Sequence, residues 1–128
     1  MRDAYRRVLR ADPSCADCYL GLGVYHYGLA RAPAFARLVA RLVGLGSGSA
    51  DSAFAYLRHA RAAGDLAVVE ATWVLAAALE REAARHDDAG TRAALEAEAR
   101  SAVAGLAARY PENPVFRRFL LARPEPAR

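Results

Sequence analysis

Apolar residues recur along this chain every three to four positions, and the pattern is interrupted at short intervals by proline, glycine or paired aspartates. Such spacing lines one side of an α-helix for a core and leaves the other side for water. The first run, Asp3 to Arg10, carries Tyr5, Val8 and Leu9 and stops at Asp12-Pro13, where the proline cannot continue a helix. Ser14 and Asp17 stand three residues apart as in a capping box, so a second helix is expected from about Cys15 to Arg31. Its stripe is Cys18, Leu22, Tyr25 and Leu29. Gly21, Gly23 and Gly28 each cost a helix interior up to about 1 kcal/mol against alanine. A helix tolerates them where another backbone comes close, so this helix is expected to be tightly packed.

Pro33 starts a third helix, 33–43, with Phe35, Leu38, Val39 and Leu42 on its apolar face and Arg37 and Arg41 on the other. The expectation is that the apolar face packs on neighbouring helices. Residues 44–49 read as a flexible Gly/Ser loop. A fourth helix, about Asp51 to Ala63, is capped by Ser49 or Asp51 and presents Ala53, Phe54, Leu57 and Ala60. The fifth, about Leu66 to His86 and expected to be the longest, has Val68, Thr72, Leu75 and Leu79 as its stripe. Thr91 is the expected cap of a sixth helix that runs to Tyr110 with Leu95, Ala99, Ala102, Val103 and Leu106 inside. Pro111 and Pro114 bracket the turn to a last helix through Val115, Phe116, Phe119 and Leu120. Helix follows helix with short turns: the fold class is all-α, with six to seven helices.

Composition supports that class. Alanine dominates, all 18 basic residues are arginine, and isoleucine is absent. Alanine, arginine, leucine and glutamate are good helix formers, and the scarcity of β-branched residues disfavours strands. A GC-rich coding sequence accounts for the bias. The net charge of +4 is modest, and most arginines are scattered beside carboxylates, so no nucleic-acid face is expected. No apolar stretch approaches the roughly 20 residues of a membrane span. Met1-Arg2-Asp3 begins no signal peptide, so a complete chain would be cytoplasmic.

Two stretches echo each other, 8–19 and 106–117, each ending a helix at proline and capping another. Recurring helix–turn–helix units mark a solenoid. Tyr19, Leu22, Gly23 and His26, followed by Ala53, Leu57 and Ala60, resemble the two helices of a tetratricopeptide repeat. Thr72, Leu75, Ala76 and Leu79, then Ala99, Val103 and Leu106 closed by Pro111, resemble a second unit. The stretch from Gly21 to Leu57, with its extra helix, is similar to a divergent tetratricopeptide branch of bacterial proteins and of eukaryotic outer-mitochondrial-membrane and inclusion-clearance proteins. The resemblance implies one right-handed solenoid of antiparallel hairpins over 1–128. Residues 1–13 would end a preceding repeat. A first hairpin would span 14–63 with the inserted helix 33–43, and a second would span 65–111. Residues 113–122 would begin a further repeat, 123–128 would be a frayed tail, and the whole would be a segment of a longer array.

The resemblance also implies a binding surface on the concave side, lined by first-helix residues outside the packing stripe. In this sequence these are Asp17, Leu20, Val24 and Tyr27, then Glu70, Trp73, Ala77, Glu80 and Arg81. The branch that grips C-terminal carboxylates uses lysine and asparagine where Leu20 and Val24 stand here, so another protein or peptide is the expected partner. Trp73 has an alternative reading as packing between hairpins.

Catalytic residues are hard to find. Cys15-Ala-Asp-Cys18 at a helix start has the spacing of a redox dithiol, but no strand precedes it, and cysteines also serve as small core residues. A zinc site needs about four ligands, and none converge here. His26 has no carboxylate nearby, because none occurs between Cys18 and Ala50, and it reads as core; His59 and His86 read as isolated. The loop 44–49 lacks the lysine of a phosphate-binding loop. No metal or cofactor is expected. The leading expectation is a non-catalytic interaction scaffold. The alternatives are a membrane adaptor working through the basic amphipathic segment 31–43 and a thiol-redox module at Cys15 and Cys18.

Overall fold

The computed structural model describes residues 2–124, and all regular structure among them is helical. The helices are α1 (Arg2–Ala11), α2 (Cys18–Arg31), α3 (Ala34–Leu42), α4 (Ala50–Ala63), α5 (Val68–Ala83), α6 (Ala89–Arg109) and α7 (Pro114–Leu121). They fall into two compact units, residues 1–71 and 72–128.

In the first unit the dominant pairing is α2 with α4, and α3 makes only a light contact with α2. The core holds Leu22, Gly23 and His26 from α2 against Ala53, Phe54, Leu57 and Ala60 from α4. Leu57 is fully buried, a transfer worth roughly 1.5–3 kcal/mol. It lies over Gly23, where an added Cβ would come within 2.6 Å of Leu57 Cγ. The glycine is therefore a packing requirement at the α2–α4 seam. Gly21 has the same role towards α1, because the Tyr5 ring occupies the space a Cβ would take. Gly28, the third glycine of α2, has open space beside it.

The chain between α3 and α4 is held to the body rather than loose. The Tyr25 hydroxyl donates to the Leu45 carbonyl, and the Arg2 guanidinium donates to the same oxygen at 3.3 Å. Gly44 and Gly46 take positive φ (76° and 79°), a conformation that side-chain-bearing residues rarely adopt. Ser49 then caps α4, its hydroxyl accepting from the Ser52 amide at 3.3 Å.

The second unit buries Thr72, Leu75, Ala76, Leu79 and Ala83 from α5, Ala99, Ala102, Val103 and Leu106 from α6, and Phe116 from α7. α7 packs on α6, and the Trp73 ring lies 5.7 Å from both Phe116 and Phe119. Asn113 caps α7 through the Val115 amide at 2.9 Å, with Pro114 in the first turn, where its missing N–H costs nothing.

Several details differ from the sequence expectations. Ser14 does not cap α2; its hydroxyl donates to the Asp12 carboxylate, and the chain turns through 15–17 before the helix starts at Cys18. Asp88, not Thr91, caps α6, accepting from the Thr91 amide at 2.6 Å. The longest helix is α6 with 21 residues, whereas α5 has 16 and starts after Leu66, which is exposed. The largest departure is α3. Its apolar face does not pack on neighbours: Phe35 is 78% exposed, Leu38 55%, Val39 39% and Leu42 77%, and only Ala40 is buried. Arg123, expected in a frayed tail, is engaged: its guanidinium donates to Glu80 and lies 4.1 Å over the Phe119 ring. Residues 125–128 of that expected tail lie outside the described residues.

Candidate binding surfaces

Leu20, Val24 and Tyr27 follow one another at i, i+4 and i+7 and so share one side of α2. Leu22, Gly23 and His26 occupy the side turned to α4. Val24 is 48% exposed, Leu20 is half-buried, and the half-buried Tyr27 ring tilts against Phe54 at 5.9 Å. This is an apolar strip left partly uncovered by its own hairpin.

Asp17, predicted to belong to the same strip, does something different. Its carboxylate accepts from the backbone amides of Asp65 (3.0 Å), Leu66 (3.0 Å) and Ala67 (3.1 Å), immediately before α5. The first amides of a helix have no partner within it, and here an acid from fifty residues upstream supplies one. The Leu66 and Ala67 amides, with Asp65 adding less, hold the Asp17 carboxyl below its ordinary range. Sequence reasoning assigned Asp17 to a local cap because three-residue spacing is visible in a sequence and a cap across a fold is not.

On α5, Glu70, Ala77 and Arg81 are exposed, but Trp73 and Glu80 are occupied, the first by the two α7 rings and the second by Arg123. Of the residues expected to bind a partner, those most open to one are therefore Val24, Glu70, Ala77 and Arg81.

Cys15 and Cys18 are joined by a disulfide with Cα atoms 5.5 Å apart, in the turn that leads into α2. His26 is 9% exposed, between Tyr25 and Tyr56 with ring centroids 5.8 and 5.4 Å away. Neither of its ring nitrogens has a hydrogen-bond partner among the described residues. Burial first, then the charges of Arg6 and Arg2, lowers its pKa below the ordinary histidine value. The other two histidines are not isolated, as the sequence suggested. His59 meets the Tyr19 ring edge-on at 4.4 Å, and His86 Nε2 lies 3.7 Å from the carboxylate of buried Glu82. Among the described residues no three of histidine, cysteine, aspartate and glutamate converge on a point. No described helix is long and apolar enough to cross a membrane.

A cleft lies beside α3, within the basic amphipathic segment 31–43 that the sequence offered as an alternative membrane contact. Arg31, Arg37, Leu38 and Arg41 border this open cleft of about 430 Å³, which Gly46, Ser47 and Gly48 also line. The signal for it was present as the stretch from Cys18 to Ala50, which has three arginines and no acid.

The fold and these surfaces define a class only: an all-α chain of packed helices with partly uncovered apolar faces. Comparison with protein-family models, with curated proteins and with solved structures finds no match.

Proposed function

We propose that this chain is a non-catalytic scaffold segment of a tetratricopeptide-like array, holding another protein or peptide on the first-helix faces of its hairpins. The observation that carries the reading is the strip on α2. A helix that commits Leu22, Gly23 and His26 to α4 keeps a second apolar side, Leu20, Val24 and Tyr27, with Val24 half in water. Tyrosine is a preferred anchor for a partner, and the apolar Leu20 and Val24 beside it would exclude water from the contact. The α2–α4 pairing across an intervening α3 and the cap from Asp17 to the start of α5 agree with a repeat hairpin enlarged by a helix and followed by another. A right-handed solenoid, a longer parent and the absence of a cofactor belong to the same proposal.

A photo-crosslinking residue placed at Val24 in the full-length protein tests it, with exposed Ser101 on α6 as control. The expected result is one discrete protein adduct through position 24 and none through 101. Val24→Asp should abolish that association while leaving the helical circular dichroism unchanged. Equal labelling from both positions, or association indifferent to Val24→Asp, removes the α2 strip from the account.

A further inference from the structure

α3 is built inside out. On a helix of 3.6 residues per turn, Phe35, Leu38, Val39 and Leu42 fall within one 100° sector, and Ala36 and Ala40 lie on the opposite side. An amphipathic helix of a closed protein turns the large side chains inward. Here the small Ala40 faces the body, and the large residues form a convex ridge in water. Val43 (64% exposed) continues the ridge past the helix end. Arg37 and Arg41 stand on the other face of α3, and with Arg31 they border the 430 Å³ cleft that Gly46, Ser47 and Gly48 also line. The guanidinium groups of Arg37 and Arg41 make no ion pair among the described residues, and no acid occurs from Cys18 to Ala50 to compete for them.

We propose that α3 is a docking element for an anionic phospholipid surface. Phe35, Leu38, Val39 and Leu42 would enter the boundary between headgroups and acyl chains, and Arg37 and Arg41 would hold lipid phosphates, one of them in the cleft. Charge complementarity selects this occupant: an exposed apolar face, with arginines on the polar face and no acid in the sequence from Cys18 to Ala50, is the arrangement of helices that lie in the plane of an anionic interface. Long arginine side chains reach from the polar face towards the phosphate level while their apolar stems lie along the helix. The site is separate from the α2 strip, so each proposal can fail without the other.

The test is co-sedimentation of the full chain with phosphatidylcholine vesicles, with and without phosphatidylglycerol, at low and high salt. Binding is expected to the anionic vesicles only, weakened by salt as surface attraction is screened. The pair Arg37→Glu and Arg41→Glu should reduce partitioning by at least about tenfold. The pair Phe35→Ser and Leu42→Ser should reduce it comparably, with unchanged circular dichroism in solution. A tryptophan at position 35 should be quenched by brominated lipid beyond the level Trp73 alone gives. No binding to anionic vesicles overturns the proposal, and so does binding that survives Phe35→Ser with Leu42→Ser, because charge alone would then suffice. Full displacement by soluble glycerophosphoglycerol would make the cleft a site for a free phosphate ester and would also overturn it. So would a lipid-free dimer of the parent chain that those two serines dissociate, because the ridge would then belong to a second copy.

Discussion

The carboxylate of Asp17 accepts a hydrogen bond from the amide of Ala67 at 3.1 Å, linking the turn before α2 to the start of α5. The Asp65 and Leu66 amides share the same side chain, so three otherwise unpaired donors depend on two oxygens of one residue. Shape complementarity alone would leave those amides to water. The acid fixes where the chain after α4 must turn.

Substituting Asp17 should therefore act on the start of α5 rather than on α2. Thermal unfolding should rank the parent above Asp17→Asn, which keeps one acceptor oxygen, and Asp17→Asn above Asp17→Ala, which keeps none. Because the folded carboxyl titrates below its unfolded value, its contribution is complete above the unfolded pKa of about 3.9 and disappears as pH falls through the lower folded value. Hydrogen exchange should show faster amides at 65–67 in Asp17→Ala. Unchanged exchange there would refute the cap.

The glycines of α2 should respond in opposite directions. Gly28→Ala, in open space, should stabilise by about 0.5–1 kcal/mol through helix propensity. Gly23→Ala drives a methyl into fully buried Leu57 and should cost about 1–3 kcal/mol before that propensity gain is set against it, leaving a net loss. Urea unfolding of the two variants decides this, and equal midpoints would contradict the seam described between α2 and α4.

These two sites also show how far the sequence can be read. The helices, their order and most buried stripes follow from apolar spacing and from the prolines. Leu75, Leu79, Val103 and Leu106 are buried where the period puts them. Gly21 and Gly23 announced close packing, yet Gly28 carried the same signal and meets nothing. α3 was misread because periodicity reports that a face is apolar and not whether anything covers it. The partners of Asp17, Glu80 and Trp73 lie 40 or more residues away in the chain, beyond the reach of any local pattern.

His26 should make the protein acid-sensitive. Burial and the nearby Arg6 and Arg2 depress its folded pKa, so the unfolded chain takes up the proton first as pH falls. Stability is then complete above the unfolded value of about 6.5 and declines as pH drops below it, until the folded value is passed. His26→Phe should remove this component of the decline. It should also stabilise the protein at pH 8 by about 1 kcal/mol, because two buried nitrogens without partners are replaced by carbon. Denaturant midpoints across pH report both effects. A slope unchanged in His26→Phe would assign the acid sensitivity to other groups.

Trp73 is an internal reporter for α7. Phe116→Ala removes a buried ring from its face and should cost about 3–5 kcal/mol in the second unit. Tryptophan emission should shift to longer wavelength as the indole gains water. Parent-like emission would place Trp73 elsewhere than against α7.

The pairing of α2 with α4 leaves residues 32–49 as a connection that gives the core little beyond Ala40. The entropy of closing such a connection grows only logarithmically with its length. Changes within it therefore have little effect on whether the hairpin forms, provided Gly44, Gly46, the anchor at Leu45 and Gly48, which lies against the α2 backbone, survive. Substitutions on the outer side of α3 are thus shielded from selection for folding and left to selection for whatever α3 touches. In a set of orthologous chains, the ridge should drift or persist on its own evolutionary clock, independent of the core beneath it.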